Sequence, residues 1–184
     1  MRLLTVLAGL LLLAYPLAVY AGLSNFGIAP LALVLVILFG FRIASGHLAN
    51  RGPLKHLAVV TGAIGIVLVS LGYLFRQHDW LLFYPVAVNS VMLTAFAYSL
   101  TQSQSMIERL ARLQDPDLPP SGVRYTRNVT KVWCVFFLVN GSIALATCFM
   151  PLTSWTLYNG LLSYVAAGVL FGIEFVVRKR VKTS

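Results

Sequence analysis

Along the chain, apolar residues come in runs of about twenty, the length that carries an α-helix across the hydrocarbon of a bilayer. Six runs stand out: Leu3 to Gly22, Phe26 to Phe41, Leu57 to Phe75, Trp80 to Leu100, Asn128 to Met150 and Leu157 to Val177. The breaks between them are short: Ser24-Asn25, the basic RIASGHLANRGPLKH, the polar stretch around 104–127, and PLTSWT with Pro151. No alternating strand pattern competes. A backbone in hydrocarbon must satisfy its own hydrogen bonds, so runs of this kind read as helices. The expected fold is all-α: one integral membrane domain over residues 1–184, with six transmembrane helices and one short interfacial helix in a polar loop at 101–131.

Composition agrees. Of 184 residues, 59% are hydrophobic and 10% charged, against about a quarter charged in soluble domains. The first run has a basic start and small residues at Val19 and Ala21, features of a cleavable signal segment, and its removal would leave five spans. Its apolar stretch exceeds the core of about 7–15 residues of such signals, so retention is expected.

The basic residues orient the chain. With the N-terminus in the cytoplasm, thirteen of the fourteen Lys and Arg fall on that side, and only Arg76 faces the other. Both termini are then cytoplasmic. The same basic excess does not indicate a nucleic-acid partner, because long apolar runs separate the charges and no base-reading stripe forms. An anionic inner leaflet attracts such clusters instead.

The stretch QSMIERLARLQDPDLPPSGVRYTR holds seven of the nineteen charged side chains. Ser105 and Glu108 have capping-box spacing, Met106, Ile107, Leu110 and Leu113 are expected to form an apolar face, and Glu108 is placed to pair with Arg112. This predicts a short interfacial helix, followed by a turn at QDPDLPPSG. Arg109, Arg112, Arg124, Arg127 and Lys131, with Tyr125 among them, form the expected surface for anionic headgroups or for a cytoplasmic or membrane protein partner.

Within the spans, small residues mark close approach. Ala58, Gly62, Gly65 and Gly72 line one face of the third helix, and Gly168 and Gly172 make a small-xxx-small pair in the sixth. Internal helix packing is expected at both, with homodimerisation through one groove as the alternative. Asn89 and Asn140 are amides deep in apolar runs and need partners on other helices, conceivably each other. Glu174 is the carboxylate within a span, and Arg178 at i+4 suggests a snorkelling ion pair. Pro85 is placed to kink the fourth helix. Trp80, Phe83, Tyr84, Trp155 and Tyr158 suit an outer aromatic belt.

Catalytic chemistry finds little support. Cys134 and Cys148 lie about 21 Å apart along one helix, beyond disulfide reach. His47 and His56 share a loop without Asp, Glu or Cys, and His78-Asp79 has no third ligand, so no metal or cofactor site is expected. Pro120-Ser121-Gly122 matches the start of a P-S-G-H element of membrane lipid phosphatases, but Val123 stands where the histidine would be. No P-loop, G-x-S-x-G or H-E-x-x-H occurs. A non-enzymatic protein is expected.

The run LPPSGVRYTRNVTKVWCVFFLVNGSIAL, preceded by SMIERLARL, resembles an uncharacterised family of small bacterial inner-membrane proteins found beside ketosynthases and acyl carrier proteins in aryl-polyene clusters. Its layout is also similar to that of the intracellular septation protein A family, with Asn128, Trp133, Phe136 and Phe137 at the entry to a span. The resemblance covers roughly residues 80 to 180 and implies an inner-membrane scaffold or accessory factor for envelope maintenance or lipid-linked polyene assembly. A small transporter or flippase for a lipid-like substrate is the alternative. Neither family carries a catalytic motif over to this chain.

Overall fold

A computed structural model describes residues 15–25, 27–48, 55–75 and 79–183. Residues 3–14 of the first expected span, and Arg2, Arg51, Arg76 and His78, lie outside them, as does the side chain of His47. Every regular element among the described residues is helical: α1 Tyr15–Asn25, α2 Ile28–Leu48, α3 Lys55–Leu74, α4 Asp79–Leu82, α5 Tyr84–Ser99, α6 Met106–Arg112, α7 Pro120–Thr147, α8 Leu152–Leu157, a π-helical turn Tyr158–Leu162, and α9 Ser163–Thr183. Four stretches are long and apolar enough to cross a membrane: His56–Leu74, Asp79–Ser99, Pro120–Thr147 and Leu152–Arg178. Ala29–Ala44 is a shorter apolar helix.

The bundle is built from two antiparallel pairs. In the α2/α3 pair, a Cβ added at Gly65 would lie 2.6 Å from the Phe39 ring, and one at Gly62 would lie 2.8 Å from Ile43. Only glycine leaves room at these two positions for the Phe39 ring and the Ile43 side chain of the facing helix. The α5/α7 pair is joined to the first through α3 and α5, while α8 and the π turn reach α1. The α1–α2 turn closes at Gly27, whose φ of 80° is open to glycine and whose N–H donates to the Gly22 carbonyl at 3.0 Å.

Two cores result. Tyr15, Phe39 and Tyr84 cluster with centroids 4.6 to 5.8 Å apart, packed with Leu81, Val69 and Trp155. Phe96, Met106 and Phe137 form the second, flanked by Trp133 and Phe136. Large apolar side chains such as Leu33, Ile37, Val169 and Phe175 point outward. That is the surface a protein presents to lipid, whereas exposed apolar area on this scale is rare in a soluble monomer.

A break between α4 and α5 ties the first core together. Proline has no N–H, so Pro85 cannot donate to the Leu81 carbonyl four residues back. The Tyr15 hydroxyl donates to that carbonyl at 2.8 Å. At the adjacent Leu82 carbonyl, the Trp155 indole N–H donates at 3.0 Å and the Cys148 thiol at 3.3 Å. Tyr84 and Trp155, expected at an aromatic belt, are instead buried.

Three boundaries differ from the sequence reading. Helix α2 continues through Arg42 to Leu48, because the Arg42 Nε donates to Thr61 Oγ1 at 3.0 Å and the side chain stays within the bundle. Helix α7 starts at Pro120, eight residues before the expected span, with Pro119 extended ahead of it. A proline at the first helical position forfeits no intrahelical bond, and the residue before it is held extended. Helix α8 starts at Leu152 directly after Pro151, so PLTSWT is mostly helix. The loop expected at 101–131 thus shrinks to the segments flanking α6.

Tyr15→Phe is expected to destabilise the protein by about 1–3 kcal/mol by orphaning the Leu81 carbonyl. In a Pro85→Ala background, where residue 85 regains an N–H, the same change should cost clearly less. Additive effects in denaturation of the detergent-solubilised protein would contradict this account of the break.

Candidate functional site

The first polar cluster lies inside the bundle. Asn140 on α7 donates its amide to Asn89 Oδ1 on α5 at 3.0 Å, and Tyr158 donates its hydroxyl to Asn140 Oδ1 at 2.9 Å. Asn89 in turn donates to the Pro85 carbonyl at 2.8 Å, another acceptor close to the helix break. Asn159 donates to Thr147 Oγ1 at 3.0 Å and to the Trp155 carbonyl at 2.9 Å. All three asparagines are buried. The π turn explains how Tyr158 and Asn159 both reach inward, since its wider spacing shifts the side-chain register of the helix there. A buried amide in an apolar setting must find such partners.

This cluster borders a cavity of about 330 Å³. Arg42, Tyr84, Asn89, Asn140, Asn159 and Ser163 supply its polar wall, and Val88, Phe136 and Ala167 belong to the apolar one. Arg42 is half-buried. The sequence reading put it in a loop.

A second cavity of about 330 Å³ lies toward the α6 end and is bordered by Tyr125, Trp133, Phe137, Phe171, Glu174 and Arg178, among others. The Tyr125 hydroxyl donates to the Glu174 backbone carbonyl at 3.1 Å, linking α7 to α9. The expected ion pair between Glu174 and Arg178 is not made among the described residues. Both side chains border the cavity rather than clasp each other.

At the same end, α6 lies across α7. Its first amides are satisfied by other elements: Met106 N–H donates to Ser99 Oγ at 2.8 Å and Ile107 N–H to Thr130 Oγ1 at 3.3 Å. The expected capping box does not form. Ser105 caps without a side-chain bond, and its buried hydroxyl has no hydrogen-bond partner. Glu108 is buried and takes Arg112 Nε at 3.0 Å, while Arg112 also donates to the Pro116 carbonyl at 2.7 Å. The buried face is Met106, Glu108 and Ala111, and Leu113 is exposed instead of joining it.

The loop cations therefore divide. Arg109 donates to the Gln104 carbonyl at 3.1 Å and Arg127 to the Leu100 carbonyl at 2.6 Å, so with Arg112 they hold the segment in place. Arg124, Asn128 and Lys131 are exposed at spacings of four and three, one stripe along α7.

The small residues divide too. Gly62, Gly65 and Gly72 are buried in α3, the first two against α2. A Cβ on Gly168 or Gly172 would meet nothing within 4 Å, so the packing expected there is not made among the described residues. The two cysteines are free. Among the described residues, no three His, Cys, Asp or Glu side chains gather in a metal-binding arrangement.

Compared with known proteins, the chain matches no family model, no curated protein and no solved structure. Sequence reasoning passed over Asn159 and Ser99, put Arg42 in a loop and assigned Tyr158 to an aromatic belt. Asn159 carried the same signal as Asn89 and Asn140, an amide inside an apolar helix, once PLTSWT is read as helical.

Asn140→Leu removes two hydrogen bonds, to Asn89 and from Tyr158, whereas Tyr158→Phe removes one. With membrane hydrogen bonds worth about 0.6 kcal/mol on average and up to about 1.7, Asn140→Leu should lower unfolding stability in mixed micelles roughly twice as much. Equal losses would show that the chain of bonds is not made.

Proposed function

We propose that the protein is a six-span bacterial inner-membrane protein with both termini in the cytoplasm. Without chemistry of its own, it serves as a scaffold or accessory factor for envelope maintenance or lipid-linked aryl-polyene assembly. The observation that carries this reading is the platform at the α6 end. Glu108, Arg109, Arg112 and Arg127 hold α6 and its flanks in place, and Arg124 and Lys131 remain exposed beside them on one stripe. A fixed basic surface at a bilayer boundary suits an anionic leaflet, a cytoplasmic protein or a membrane protein partner. The distribution of basic residues supports the orientation, and the resemblance of residues 80 to 180 supports the cellular role.

A second reading, a small carrier or flippase for a lipid-like substrate, is favoured by the two polar-edged cavities along α9. Polar groups inside spans commonly mark substrate paths.

The test separates exposed cations from those that hold the fold. In mild detergent, the protein should retain phosphatidylglycerol in preference to phosphatidylcholine. Arg124→Gln with Lys131→Gln should weaken that retention by about 1 kcal/mol per residue and leave thermal stability unchanged. Arg127→Gln should lower stability instead, because the Leu100 carbonyl loses its donor. Unchanged retention in the double variant, or a reporter at Ser121 on the outer side, would remove the reading.

A further inference from the structure

We infer that the cavity at the α6 end takes the zwitterionic head of phosphatidylethanolamine. Glu174 accepts from its ammonium, Arg178 donates to its phosphate, and the acyl chains leave past the apolar part of the cavity into the bilayer. This goes beyond the proposed role. It rests on the chain being embedded in a bilayer and not on the basic stripe of Arg124 and Lys131.

The cavity wall is divided by depth. Gln114, Tyr125, Glu174 and Arg178 line one part, and Met92, Phe137 and Phe171 line the other. Along α9, Phe171 lies about 10 Å before Arg178, and along α7, Phe137 lies about 18 Å beyond Tyr125. Arg178 closes the stretch Leu152–Arg178, which is long and apolar enough to cross a membrane. Polar groups therefore meet at the end of a span and apolar groups lie deeper, the order in which a phospholipid presents its head and its chains.

Two opposite charges share this end. Glu174 and Arg178 lie on one face of α9, both half-buried, yet they form no ion pair among the described residues. The Tyr125 hydroxyl donates to the Glu174 backbone carbonyl, which ties this turn of α9 to α7 and leaves the carboxylate to the cavity. A carboxylate and a guanidinium that face one cavity without clasping each other match a ligand carrying both signs. An ammonium brings N–H donors to the carboxylate, and the guanidinium fork fits phosphate oxygens. Phosphatidylcholine keeps the phosphate, but its methylated nitrogen has no N–H. Phosphatidylglycerol has no cation, so neither lipid serves both side chains.

The site is reached from the side. No residue from 163 to 178 is buried, and α9 packs mainly against the π turn and a short part of α7. Its volume of about 330 Å³ is at the small end for ligand pockets. That holds a head and the start of a chain, and the remainder lies beside Phe171 in the bilayer.

Titration of the full chain, delipidated in mild detergent, with phosphatidylethanolamine and phosphatidylcholine of identical acyl chains tests this by native mass spectrometry. Phosphatidylethanolamine should bind about five- to tenfold more tightly. Its N-monomethyl and N,N-dimethyl forms should bind progressively more weakly, a comparison that needs no variant. Glu174→Gln should bring phosphatidylethanolamine down to the level of phosphatidylcholine and leave the latter unchanged, whereas Arg178→Gln should weaken both. Arg124→Gln with Lys131→Gln should leave the preference intact. Phosphatidylcholine binding as tightly as phosphatidylethanolamine, a preference that survives Glu174→Gln, or one that disappears in the Arg124 and Lys131 variant would overturn the inference. The platform reading is judged separately, by phosphatidylglycerol retention in that last variant.

Discussion

A backbone carbonyl in hydrocarbon has no water to turn to, and the helix break at residues 82–84 leaves carbonyls that its own helix does not serve. Most of the tertiary structure on that side follows from serving them. Tyr15 answers Leu81, and Trp155 and Cys148 answer Leu82. Each of these bonds draws in a further element. Tyr15 brings α1 against Phe39 and Tyr84, Trp155 brings α8, and Asn89 engages Asn140 and through it Tyr158. The break thus draws donors from two separated parts of the chain, α1 and the segment 148–155.

The same requirement shapes the end that carries α6. Lateral helices have orphan amides at their start, and here Ser99 and Thr130 take them, which fixes α6 against both α5 and α7. The arginines that looked like a free binding surface are partly consumed in this task. Arg109, Arg112 and Arg127 cap carbonyls or neutralise Glu108, and each such bond converts a mobile cation into a strut. The exposed charge left on α7 is smaller and better defined than a count of basic residues suggests.

Packing is uneven along the bundle, and the unevenness creates the cavities. Glycines at 62 and 65 let α2 and α3 close completely, whereas α9 is held at its π turn and by Tyr125 and otherwise faces outward. A tightly closed pair beside a loosely attached helix leaves a groove with polar ends. Gly168 and Gly172 lie on the open side of that helix, where among the described residues nothing would meet an added Cβ.

Hydrophobic run length determined the helical class and four stretches long and apolar enough to cross a bilayer, because those follow from hydrocarbon thickness and backbone bonding alone. The need of Asn89 and Asn140 for partners was legible for the same reason, and so was the Glu108–Arg112 pair, which depends only on local spacing. The choice of Tyr15 and Trp155 as donors was not legible, since any hydroxyl or indole in the chain satisfies the chemical demand equally. Arg42 read as a loop residue because Thr61, which accepts from it, and the polar cavity wall it joins are contributed by residues distant in sequence. Gly168 and Gly172 carried the same pattern as Gly62 and Gly65, yet one pair is closed by a neighbour and the other is open. Local chemistry sets what each group needs, and only the meeting of helices in space decides which group supplies it.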